Sequence, residues 1–255
     1  MKKPKHGCTL RFFALTAALA GIACSSDSII DPSDRPQPPP ADAFFADFSF
    51  FEESTPDPGG TTSSWAQALQ TVALAQADME VLEIPEALLR AANAAPGTRE
   101  GSAWYWPFST TVDGNSYDGE VRSTVVGNQY AWDLLVTSPD HAPQLNNYLW
   151  GTAITPPGFF EGQWWIADAE AGTDSLVARV SWITNPENGI NFAFSDSDSA
   201  GWTYERSSAA TVLTYSVYNQ PHRRVTWFRE TDRGSTWTAA TSTACWDGAL
   251  HDVAC

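Results

Sequence analysis

The sequence predicts a mainly β protein: an antiparallel meander of about nine strands, closing into a barrel or folding into a sandwich, with a small N-terminal helical layer. Three observations carry this. From Trp104 onward apolar residues alternate, as Tyr130, Trp132, Leu134 and Val136 do in YAWDLLVTS and Leu176, Ala178, Val180 and Trp182 in SLVARVSWIT. That period of two marks strands with one buried face. Eight clusters of turn formers (DGNSYDG, SPDHAPQLNN, TPPG, EAGTDS, NPENG, SDSDSAG, NQPH and TDRGS) break the runs into short pieces. Helical spacing is confined to the stretch before Pro96-Gly97.

The chain begins with Lys2, Lys3, Lys5 and Arg11, followed by FFALTAALAGIA, Phe12 to Ala23. A basic segment ahead of a short apolar core has the layout of an export signal, and the core falls short of the roughly 20 residues a membrane-spanning helix needs. Read from the residues alone, plain secretion with Cys24 left as a free thiol also fits. The end of the run, Gly21-Ile22-Ala23-Cys24, resembles the lipobox of bacterial lipoproteins. That resemblance implies that residues 1–23 are a signal peptide cut before Cys24 and that Cys24 carries acyl chains such as palmitate. It further implies that the protein is anchored to a membrane on the exported side of the bacterial cell envelope. No other part of the chain resembles a known family.

Residues 24–42 read as a tether, because Ser, Asp and Pro dominate and Pro38, Pro39 and Pro40 favour an extended backbone. Residues 43–255 suffice for one domain, comprising a Phe-rich and helical segment over 43–97 and the β meander over 98–255. Of the five phenylalanines that follow, Phe44, Phe45, Phe48 and Phe51 fit a helical stripe, whereas Phe48 and Phe50 fit a strand face. They are expected to dock on the core rather than to meet a partner or membrane. Trp65, Leu69, Val72 and Met79 then predict a helix with Ser64 as its N-cap, and a second short helix is expected to begin at Pro85, since proline suits a first turn.

The four cysteines are Cys8, Cys24, Cys245 and Cys255. With Cys8 in the signal and Cys24 lipidated, Cys245 and Cys255 are the one pair left to bridge in an oxidising compartment. A zinc site using His251 has no standard spacing and no evident fourth ligand, so neither a metal nor another cofactor is expected. The full chain has 14 Lys and Arg against 30 Asp and Glu, and residues 1–23 hold four of the bases and none of the acids, so the processed chain stands at 10 − 30 = −20. Such a charge repels phosphate backbones, which excludes nucleic acid as a partner, and it leaves membrane attachment to the lipid. A monomer is expected.

Tryptophan is overused, with 12 in the chain, and all but Trp65 lie in the β region. Neighbouring Trp164 and Trp165 must point to opposite faces of one strand. Either both faces are covered or one displays an aromatic site for a glycan ring or an apolar ligand, for which Trp132, Trp164, Trp165 and Trp182 are the candidates. No nucleophile elbow, zinc-protease motif or phosphate loop is present. DGNSYDGE from Asp113 reads as a hairpin rather than a calcium loop, and SDSDSAG with Asp196 and Asp198 as a solvated turn. Binding or envelope scaffolding is therefore the expected function. The alternative is a glycoside hydrolase that draws two carboxylates from Asp133, Asp168, Glu205 and Glu230.

Overall fold

A computed structural model of the protein describes residues 30–31, 34–158, 161–185, 189–196, 200–239 and 241–255. The signal segment, Cys24 and Asp198 lie outside the described residues. The fold is mainly β, as predicted, but a single sheet contains 14 strands rather than about nine. They are β1 (Thr98–Glu100), β2 (Ala103–Val112), β3 (Asn115–Val126), β4 (Gln129–Ser138), β5 (Leu145–Thr155), β6 (Glu161–Ala167), β7 (Leu176–Asn185), β8 (Gly189–Asp196), β9 (Ala200–Arg206), β10 (Thr211–Val217), β11 (Arg223–Phe228), β12 (Arg233–Thr238), β13 (Thr241–Trp246) and β14 (Asp252–Val253). Every strand pairs antiparallel with its neighbour in sequence, and β1 and β14 form the two edges of an open sheet.

The five extra strands come from turns that lack the expected chemistry or sit inside an apolar run. Gly101-Ser102 and Gly127-Asn128 are two-residue hairpins within continuous-looking strands, Ser207 to Ala210 contains neither glycine nor proline, and residues 239–240 are both alanine. The fifth is the Asp247-Gly248 turn, which closes the β13–β14 hairpin as well as the disulfide loop. Cys245 and Cys255 are joined, with their Cα atoms 5.3 Å apart.

Ahead of the sheet come a 3₁₀ turn (Ala41–Phe44), α1 (Ser49–Glu53) and α2 (Ser63–Ala94). The two expected helices are one: α2 runs unbroken through Pro85, which is buried. Proline removes one backbone N–H and crowds the preceding turn at a cost of about 3 kcal/mol. Burial of Leu82, Leu88, Leu89 and Ala92 around it against the protein interior outweighs that cost.

The sheet curls around this helix. α2 touches β2 and β3 near one edge and β10 through β14 near the other. Fourteen flat strands spaced about 4.8 Å apart would put those edges far beyond the reach of one helix. Inward-pointing residues of the strands, among them Trp106, Trp132, Trp164, Trp182 and Trp227, are buried and form one core with the helix and the Phe-rich segment. Phe44 packs on Trp164, Phe48 on Trp202, Tyr204 and Trp227, and Phe51 on Trp65 and Trp227. The docked segment extends further upstream than the tether boundary at 42, since Ile30, Pro36, Pro38 and Pro39 are buried too.

Candidate functional site

Residue parity along β6 separates the two central tryptophans. Trp164 faces inward and is fully buried against Phe44, whereas Trp165 faces outward and stays half-exposed. Trp132 and Trp182 are also inward and buried, and the Trp132 indole N–H donates to the Thr155 hydroxyl at 2.8 Å. Of the four candidate tryptophans, the strand pattern thus places Trp132, Trp164 and Trp182 on the core side and Trp165 alone on the outer surface.

A hollow of about 310 Å³ opens beside Trp165 on the outer side of β5, β6 and β7, lined also by Leu149, Thr152, Asp174 and Leu176. Thr152 and Arg179 are the direct cross-strand partners of Trp165 in β5 and β7, so a hydroxyl and a guanidinium flank the indole on its own face. Asp174 belongs to the loop between β6 and β7, whose shape is set locally. The Asp168 carboxylate accepts the Ala171 N–H at 2.9 Å, the Asp168 carbonyl accepts the Thr173 N–H at 3.2 Å, and the Tyr148 hydroxyl donates to the Thr173 carbonyl at 2.6 Å. Burial pushes the Tyr148 phenol up and the charges of Asp174 and Asp168 add to it, so it remains a neutral donor. An aromatic plane ringed by aliphatic walls and by donors and acceptors can stack a sugar ring and bond its hydroxyls.

The four carboxylates considered for hydrolysis are not brought together. Asp133 faces outward and accepts from Arg122, its cross-strand partner, at 2.6 Å. Asp168 shapes its own loop, Glu205 is exposed on β9, and Glu230 sits exposed in the β11–β12 turn. Sequence reading missed a different acid. Asp78, midway along α2, faces the sheet, and burial raises its pKa while Tyr215 opposes the shift by hydrogen bonding and the charge of Asp196 adds to it. Tyr215 in turn is pushed up to about 12 by burial and by Asp78. No motif marks Asp78, because its partners come from β8 and β10 and meet it only through the curl of the sheet.

The histidines are scattered: His141 bonds the Pro143 carbonyl, His222 the Ser216 hydroxyl and His251 the Asp57 carbonyl. Among the described residues no group of three or more His, Cys, Asp and Glu is placed to hold a metal ion. Asp113 and Gly114 form the tight β2–β3 turn, and Asp196 accepts the Ala200 N–H at 2.8 Å. No helix among the described residues is long and apolar enough to cross a membrane. Comparison with models of protein families, with curated proteins and with solved structures yields no match for this chain.

Proposed function

We propose that this is an exported, lipid-anchored, monomeric binding protein of the bacterial cell envelope that takes an uncharged saccharide in the hollow beside Trp165. The observation that carries the reading is the outward half-exposed indole beside a walled hollow, flanked by Thr152 and Arg179, on a protein that buries most of its other tryptophans. The net charge of −20 that the chain carries without residues 1–23 disfavours anionic ligands, and the lipobox-like end at Cys24 supports the anchor. An apolar ligand is the neighbouring choice for the same walls.

Titration of the folded protein with neutral oligosaccharides by calorimetry tests this. Trp165→Ala is expected to lower affinity at least ten-fold while stability stays within about 1 kcal/mol, as is usual for a surface position. Trp164→Ala, by contrast, removes a buried ring and is expected to cost roughly 3–5 kcal/mol. Wild-type affinity in Trp165→Ala, or no binding of any neutral saccharide, defeats the proposal.

A further inference from the structure

We infer that one end of the curled sheet lies against a phospholipid bilayer, with Val126, Ile154 and Ile183 facing its surface. This rests on the lipid anchor at Cys24 proposed above. The sheet has two ends, and the last residues of β1, β3, β5, β7, β9, β11 and β13 all lie at one of them. The docked N-terminal segment reaches that same end. Burial raises the pKa of the Tyr130 phenol and the charges of Asp34 and Asp31 add to it, and Tyr130 is the second residue of β4, paired with Thr155 at the last position of β5.

Only residues 25–29 separate the anchor from buried Ile30. Whatever their conformation, six Cα steps span at most about 20 Å. A strand of ten residues is about 33 Å long, so the opposite end lies beyond that reach when the sheet stands on its anchored end. The anchor therefore acts as a short leash on a chosen end rather than as a long spacer.

The outer margin of that end has the surface such a placement needs. Val126 on β3, Ile154 on β5 and Ile183 on β7 all point outward and are 63%, 39% and 57% exposed. Register sets Val126, paired with Gln129, and Ile183, paired with Glu161, two residues nearer the rim than Ile154, which lies between their strands and pairs with Ala131 and Gln163. β-branched aliphatic side chains are expected inside rather than outside a sheet, and three along one margin form an apolar edge beside the anchor. Interspersed Gln129, Gln163 and Glu161 keep the edge compatible with headgroups. Given the −20 charge, the partner surface is a zwitterionic one.

The test uses the full lipidated chain reconstituted in phosphatidylcholine vesicles that contain headgroup-proximal spin-labelled lipid. A fluorophore is placed at Val126→Cys, at Ile183→Cys, or at Tyr218→Cys in the β10–β11 turn of the opposite end, where Tyr218 is 74% exposed. The two labels at the anchored end are expected to be quenched at least two-fold and the Tyr218 label to stay unquenched. Using two sites at that end guards against one variant failing to fold. Equal quenching at both ends, or none at Val126 and Ile183 in vesicle-bound protein, overturns the orientation and leaves the anchor standing. If the processed wild-type protein stays out of the vesicle fraction, as Cys24→Ser is expected to, the anchor itself fails and the orientation with it.

Discussion

Gly162 and Gly234 stand directly opposite Trp182 and Trp246 across their strand pairs, and each indole lies over its glycine so closely that even a methyl group there would overlap the ring. A sheet lined with indoles closes only where some positions carry no side chain, and these glycines supply the room. The aromatic lining has a cost, since Trp106, Trp164, Trp182, Trp227 and Trp246 bury indole N–H groups without a hydrogen-bond partner among the described residues. The area that each ring removes from water offsets it. Asp78 is a half-buried carboxyl on the helix face that meets the sheet. An ordinary unfolded Asp titrates near 3.9, whereas burial raises the folded value, so the folded state holds the proton to higher pH. The resulting stability is complete below about pH 4 and is lost as pH rises through the raised pKa. Asp78→Asn keeps the shape and an acceptor for Tyr215 without the charge. The difference in urea midpoint between variant and wild type is expected to grow in the variant's favour from pH 4 to pH 8. A difference that stays constant over that range refutes buried ionisation at Asp78.

The elements show how much of the architecture local sequence encodes. The alternation in β4 and β7 and the turn clusters made the meander legible, and so did the parity that sets Trp165 opposite Trp164. Strand number was not legible, because Ser207 to Ala210 becomes a turn only when the flanking strands pair. The helix boundary was hidden for a similar reason: its cap comes from the far end of the chain. Asp252 at the start of β14 accepts the Ser63 N–H at 3.1 Å, the Ser63 hydroxyl at 2.5 Å and the Ser64 N–H at 2.8 Å, so the role given to Ser64 passes to a residue 188 positions away. These bonds, made to the ionised form, hold the Asp252 carboxyl well below the usual carboxylate range. The Cys245–Cys255 bridge spans 10 residues and encloses this aspartate, so disulfide and cap are coupled. The chain-entropy model gives the bridge roughly 2–3 kcal/mol. Asp252→Ala is expected to cost about 1 kcal/mol in the oxidised protein. In a Cys245→Ser/Cys255→Ser background the cost is expected to fall below half of that, because β14 no longer presents the carboxylate in a fixed place. Full additivity in denaturant titrations of the four proteins refutes the coupling.

At the scale of the whole molecule, a sheet whose edges do not pair with each other is held curled by what fills it, namely α2 and the segment from Ile30 to Glu53. That segment crosses from Tyr130 on β4 to the β11–β12 turn, where Asp47 meets Arg229 at 2.6 Å, and along the way the Pro39 carbonyl accepts from Asn93 of α2 at 3.1 Å. It joins distant strands as a hydrogen-bonded seam joins the first and last strands of a closed barrel. Phe48 is its central contact, with ring centroids 5.9 Å from Tyr204, 6.2 Å from Trp202 and 6.4 Å from Trp227. If the segment is part of one cooperative core, Phe48→Ala removes a buried ring at about 3–5 kcal/mol. Near-ultraviolet and far-ultraviolet circular dichroism should then shift to lower denaturant together, as a single transition. If the segment is instead a separable cover, the aromatic signal is lost in an early step while the strand signal holds at its wild-type midpoint. Coincident transitions in Phe48→Ala therefore identify the N-terminal segment as the element that keeps the open sheet closed on its core, and separated transitions reject that role.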